Sequence, residues 1–181
     1  MRKLKIVILF LSIFLISNFG YSQVINFLNN FKPGSEPDGF RGINWGTDVS
    51  TLKLRDLKLV DESADGQTKC YDRKDDVMEI GAAKIKDTGY CFWRGKLFGV
   101  IVTTLGGSGN ALKYACFEKF GQGARMSSYS EEFQWDGKKT FMRFEIRHSD
   151  EGTLYIQSNE VGKQKEEYEK QKTKEGAKKG F

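Results

Sequence analysis

The residue types that acid–base chemistry needs are few in this chain and poorly spaced for it. One histidine, His148, stands beside Ser149 and Asp150. An imidazole oriented by a carboxylate would make a general base, but neighbours along a strand point to opposite faces. His148-Ser149-Asp150-Glu151-Gly152 reads instead as a polar loop closing a strand. Asp72, Asp75, Asp76 and Glu79 gather around one turn and offer hard oxygen ligands of the kind calcium takes, yet the alternating Asp-x-Asp-x-Asp-Gly spacing of a calcium loop is missing. A solvated turn is expected there. Glu131 and Glu132 read as surface charge before a strand.

Gly106-Gly107-Ser108-Gly109 lacks the lysine that a phosphate loop places after its glycines, so it reads as the break before a helix. No nucleophile elbow, metalloprotease helix or dinucleotide glycine fingerprint occurs. No catalytic, cofactor-binding or metal-binding residue is assigned, no cofactor is expected, and the chain is expected not to be an enzyme. The alternative is a small secreted hydrolase working through carboxylates among Asp72, Asp76, Glu79 and Asp150.

Three cysteines are an odd set. Cys116 sits on the apolar stripe of a predicted helix and reads as packed core. Cys70 and Cys91 both fall in predicted strands, and a bridge between them would enclose about 20 residues and contribute about 3 kcal/mol. Whether they meet depends on strand order. The close-spaced ligand pairs of a zinc site are absent.

Aromatic residues make up 13% of the chain and concentrate in two hairpins. Trp93, Phe133 and Trp135 are the candidate partner-binding aromatics: left on an uncovered sheet face, they would form an apolar patch. The competing reading places them in the core or in cross-strand pairs. Trp45, just before a helix start, reads as core.

The elements that must position these residues are mostly strands. Leu57–Val60, Thr68–Arg73, Met78–Ile80, Tyr90–Arg94, Leu97–Thr103, Phe133–Trp135, Thr140–Arg147 and Thr153–Gln157 read as extended, the clearest hairpin lying between Tyr90 and Thr103. From Thr140 the sequence alternates with a period of two, Met142, Phe144 and Ile146 against Arg143, Glu145 and Arg147. Trp93-Arg94-Gly95-Lys96 and Trp135-Asp136-Gly137-Lys138 share a turn pattern, faintly suggesting a repeated unit. A short helix is predicted over Asp48–Leu54 with Thr47 as its cap. A second covers Gly109–Phe120, where Leu112, Cys116 and Phe120 recur four apart and Gly121 follows as C-cap. The predicted fold is a single α+β domain, residues 39–158, mostly antiparallel sheet with two helices packed on one face.

The ends read differently. Arg2, Lys3 and Lys5 precede an apolar run from Ile6 to Ile16, and Gly20-Tyr21-Ser22 suits a cut between Ser22 and Gln23. Residues 1–22 therefore read as a cleaved signal peptide, too short in its apolar run to span a bilayer. No cysteine follows that run to carry a lipid. The expected location is the periplasm or the extracellular space, with no membrane anchor after cleavage. Residues 23–38 form an irregular lead-in whose Val24, Ile25, Phe27, Leu28 and Phe31 are expected to dock. Residues 159–181 form a charged tail, helical or disordered.

The formal charge is +5; Arg2, Lys3 and Lys5 carry three of those charges, and Lys163–Phe181 carries a surplus of three. The body is near neutral and lacks the basic face of a nucleic-acid binder, so nucleic acid is not an expected partner.

Phe40-Arg41-Gly42-Ile43-Asn44-Trp45-Gly46-Thr47, with Leu52, Tyr71–Arg73, Ile80-Gly81-Ala82-Ala83, Tyr90–Lys96 and Leu112–Gly121, resembles a group of uncharacterised bacterial exported proteins over about residues 39–158. More distantly it is similar to the small helix-plus-antiparallel-sheet modules of envelope-assembly lipoproteins and β-lactamase inhibitor proteins. That resemblance implies fold and export, and it transfers no functional residue. The expectation is a non-enzymatic exported binding or envelope-maintenance module whose partner is a protein or an envelope component.

Overall fold

The computed structural model describes residues 30–53 and 56–180. In chain order the strands are β1 (Gly39–Phe40), β2 (Ile43–Asn44), β3 (Leu57–Glu62), β4 (Thr68–Arg73), β5 (Glu79–Ile80), β6 (Ala83–Trp93) and β7 (Lys96–Thr104). After helix α1 (Gly109–Phe120) come β8 (Ala124–Arg125), β9 (Glu132–Asp136), β10 (Thr140–Arg147) and β11 (Glu151–Ser158), and helix α2 (Asn159–Gly180) follows. β1 and β2 pair with each other, while the remaining strands form one antiparallel sheet in the order β3-β4-β6-β7-β11-β10-β9-β8, with β5 on the first half of β6.

The chain thus lays down one meander from β3 to β7 and crosses through α1 to the far edge. A second meander then brings it back until β11 closes against β7. The predicted strands are all present, most of them longer than predicted.

Two hairpins are turned by consecutive residues with positive φ, Arg41-Gly42 and Arg94-Gly95, the backbone whose twist matches a two-residue hairpin. The Trp135 echo does not repeat this geometry. Residues 137–139 form a longer loop, Gly137 takes no positive φ, and the Glu36 carboxylate folds against it to accept the Thr140 N–H at 2.9 Å.

Helix α1 buries Leu112, Cys116 and Phe120 against Tyr90, Phe92, Val100, Val102, Leu154 and Ile156, which is the stripe its spacing predicts. Its N-terminus is capped from a distance: Asp150 accepts the Asn110 N–H at 2.9 Å, while Ser108 at the cap position makes no side-chain bond. The helix can come this close to β11 because Gly109 and Gly152 face each other, and a Cβ on either would strike the other's backbone.

The other predicted helix is replaced. Leu54 lies outside the described residues; among the described residues of that span only Val49–Thr51 forms a 3-10 turn, capped by Asp48 rather than Thr47, with Ser50 donating its N–H and hydroxyl to Asp48 at 2.9 and 2.7 Å. The flanking backbone is spent on the start of β7, where Gly46 N–H bonds Leu97 O, Leu97 N–H bonds Thr47 O and Val49 N–H bonds Gly95 O. Leu52 is already extended.

The second helix of the structure is the charged tail. Val161 and Tyr168, seven apart, supply the stripe that the lysines obscured, and they pack on Trp93, Phe98, Cys70 and Cys91. Along β6, Tyr90 and Phe92 belong to the α1 core while Cys91 and Trp93 belong to the α2 core, and alternate strand residues face opposite ways. Both helices therefore pack on the sheet from opposite faces rather than from one, and the molecule is a single α+β domain. From residue 169 to residue 178 the helix is exposed, tethered by Lys172 to Asp65 at 3.0 Å.

Candidate functional site

The lead-in ends where the site begins. Phe31 is buried edge-to-face on Phe120, and the Pro37 carbonyl accepts from Thr140 and Trp45. This holds the β1–β2 hairpin over the α1 face of the sheet. Between that hairpin, the segment from Arg73 to Ile80, α1 and β11 lies a cleft of about 560 Å³, within the range of about 300–1,000 Å³ typical of small-molecule sites. Its floor is apolar: Leu112, Cys116, Phe120, Leu154 and Ile156 line it.

Its mouth is polar and tightly organised. Asp76, with a side chain only 6% exposed, lies 2.7 Å from Arg41 Nη1 and accepts the Tyr90 hydroxyl at 2.8 Å. Arg41 also donates to the Glu79 carbonyl at 3.2 Å. A non-glycine residue with φ of +46° is costly, by about 1–2 kcal/mol, and the pairing with Asp76 offsets that cost. The Arg73 guanidinium lies 5.7 Å from the centre of the Tyr90 ring.

Burial first and the Asp76 carboxylate second push the Tyr90 hydroxyl up to about 12. Burial pushes the Cys116 thiol up to about 12 as well, so at neutral pH it is a neutral patch of floor rather than a nucleophile. Glu79 is held below the usual carboxylate range by its ion pair with Lys84. Val77 and Met78, both exposed, add apolar surface beside the opening.

Of the acids singled out from the sequence, Asp75, Asp76 and Glu79 line the cleft, with Asp75 exposed in a turn, while Asp72 and Asp150 lie elsewhere. The Asp76 side chain is buried, Asp75 is an exposed part of the rim, Glu79 is tied to Lys84, and Asp72 faces Lys58 across β3 and β4. Asp150 caps α1, and His148 is exposed in a 3-10 turn. Among the described residues no group of three or more His, Cys, Asp or Glu side chains is placed to hold a metal ion.

The candidate aromatics do not form a patch. Trp93 is 6% exposed, with Tyr168 at 6.0 Å and Arg94 at 4.9 Å covering it. Trp135 is fully buried and donates its indole N–H to Gly121 O at 2.8 Å. Phe133 is half-buried against Phe117. They pack because each lies on a strand that a helix covers. Cys70 and Cys91 are joined, their Cα atoms 4.0 Å apart as directly opposed residues of β4 and β6. Ser22 and Gln23, the expected cleavage point, lie outside the described residues.

The sequence reading missed Arg41, Arg73 and Tyr90 as site residues. The signal was present only in part: Phe40-Arg41-Gly42 marks a turn that projects an arginine, but nothing local says that it meets Asp76.

Comparison with protein-family models, curated proteins and solved structures finds no match to this chain.

Proposed function

We propose that this protein is an exported, non-catalytic binding module that takes an apolar ligand in the cleft between α1 and the β1–β2 hairpin, in the service of an envelope component or protein partner. The observation that carries the reading is the combination of an apolar floor with a few fixed polar groups at the opening, the arrangement by which ligand sites gain affinity and orientation. The signal-peptide pattern of residues 1–22 supports export, and the Cys70–Cys91 bridge suits an oxidising compartment.

Titration with the neutral dye Nile red tests it. Ala115 lines the cleft, so Ala115→Trp would fill it from the helix side. The expected result is saturable dye fluorescence with the wild type, lost in the variant while its thermal unfolding stays cooperative. Absence of saturable binding, or binding that ignores Ala115→Trp, would overturn the proposal.

The hydrolase reading has one observation in its favour, that Asp75, Asp76 and Glu79 line the same cleft. Against it, Asp76 already accepts from Arg41 and Tyr90 and Glu79 from Lys84, which leaves neither placed as a proton donor. A substrate panel hydrolysed by the wild type and not by Asp76→Asn or Glu79→Gln would restore it.

A further inference from the structure

The charges at the mouth are not all matched, and the mismatch names the ligand's head. Arg41 is committed to Asp76 and to the Glu79 carbonyl, and Glu79 is committed to Lys84. Arg73 rests on the Tyr90 ring with no carboxylate partner among the described residues, and Lys119, which lines the same cleft from α1, rests on the Phe120 ring at 5.3 Å in the same condition. Asp75 is the lining acid left to oppose these two cations, and it is exposed. A half-buried guanidinium beside an apolar cavity favours a planar anion that accepts two parallel N–H bonds.

The floor restricts what can follow that head. β11 is paired on both sides, by β7 and β10, and the backbone of α1 is bonded within the helix. Leu112 and Cys116 present no charge, the thiol being protonated at neutral pH. A peptide laid here would bury amide groups with no partner, at a cost of about 1–3 kcal/mol each. A hydrocarbon chain has no such groups.

We propose that the cleft binds a single-chain amphiphile of the fatty-acid class, its carboxylate on Arg73 with Lys119 nearby and its chain along Leu112, Cys116 and Leu154. The inference rests on the cleft being the binding site, and the test separates the two. Bound Nile red is displaced by monomeric dodecanoate, by dodecanol, or by an apolar peptide with a free C-terminal carboxylate.

The expected result is that dodecanoate displaces the dye about tenfold more tightly than dodecanol and that Arg73→Gln removes this advantage without weakening dodecanol, a change of about 1.4 kcal/mol. Lys119→Gln, on the exposed end of α1, gives a smaller loss in the same direction and serves if Arg73→Gln unfolds. Equal displacement by dodecanoate and dodecanol overturns the carboxylate head while leaving the cleft reading intact. Displacement by the peptide alone overturns the hydrocarbon chain, and failure of the wild type to bind Nile red at all overturns both readings.

Discussion

Tyr90 shows how one side chain ties the site to the fold. Its ring is core, packed near Phe40 at 6.1 Å, while its hydroxyl reaches the Asp76 carboxylate at the cleft mouth. Tyr155, on the other face, is pushed up to about 12 chiefly by burial and then by Glu145. An unfolded phenol ionises near 10, so between about pH 10 and 12 the unfolded chain has released protons that the native state keeps. The stability these two groups contribute is complete below about pH 10 and drains away as pH rises through their native values near 12. Denaturant midpoints should hold steady up to about pH 10 and then fall, with phenolate absorbance showing a late-titrating fraction that shrinks in Tyr90→Phe and in Tyr155→Phe. A single titration near pH 10 with no loss of stability would contradict the burial of both hydroxyls.

Among the elements, β4 and β6 are the pair on which the α2 side depends, because Cys70 and Cys91 staple them beneath the helix. For a sequence separation of 21 residues the bridge contributes about 3 kcal/mol. Cys70→Ala with Cys91→Ala should lower unfolding stability by about that amount in urea, whereas Cys116→Ala should leave the bridge intact, read as an unchanged mass difference between the reduced and non-reduced protein. The strand from Thr140 was legible because it carries a period of two, the Tyr90–Thr103 hairpin because two apolar runs flank a Gly turn, and α1 because its stripe recurs every four residues. The first half of β6 was not, since Lys84, Lys86 and Asp87 separate its buried residues and the register slips between Ile85 and Asp87. The expected helix after Thr47 failed for a different reason: its backbone donors bond the start of β7, a partner about fifty residues away that no local window contains.

Across the molecule, two cores share one sheet, the larger under α1 and the smaller under α2. Helix α2 acts as a strap: it leaves β11 at Asn159, crosses the β6–β7 turn where Tyr168 and Arg94 enclose Trp93, and reaches the β3–β4 turn through Lys172 and Asp65. Ser63 first and Lys172 after it hold Asp65 at about 2. Deleting residues 163–181 uncovers Trp93 and should cost about 2 kcal/mol or more, with Trp fluorescence shifting to longer wavelength. Deleting residues 174–181 removes side chains that are exposed at every described position, 174 to 178, and should change stability by less than about 0.5 kcal/mol. Equal effects from the two truncations would mean that the strap carries no load.

The chain's local patterns already dictated most of its longer strands, the α1 stripe and the Arg94-Gly95 hairpin, since each is written within a window of a few residues, and composition alone set the near-neutral charge of the body. Other features had to wait for the fold. Cys70 meets Cys91, Arg41 and Tyr90 converge on Asp76, and the three candidate aromatics turn inward only once β4 lies beside β6 and each helix has taken its face. Alternating patterns of this kind are compatible with many strand orders. Which order wins is set by the summed burial of side chains far apart in sequence, and no local period records that sum.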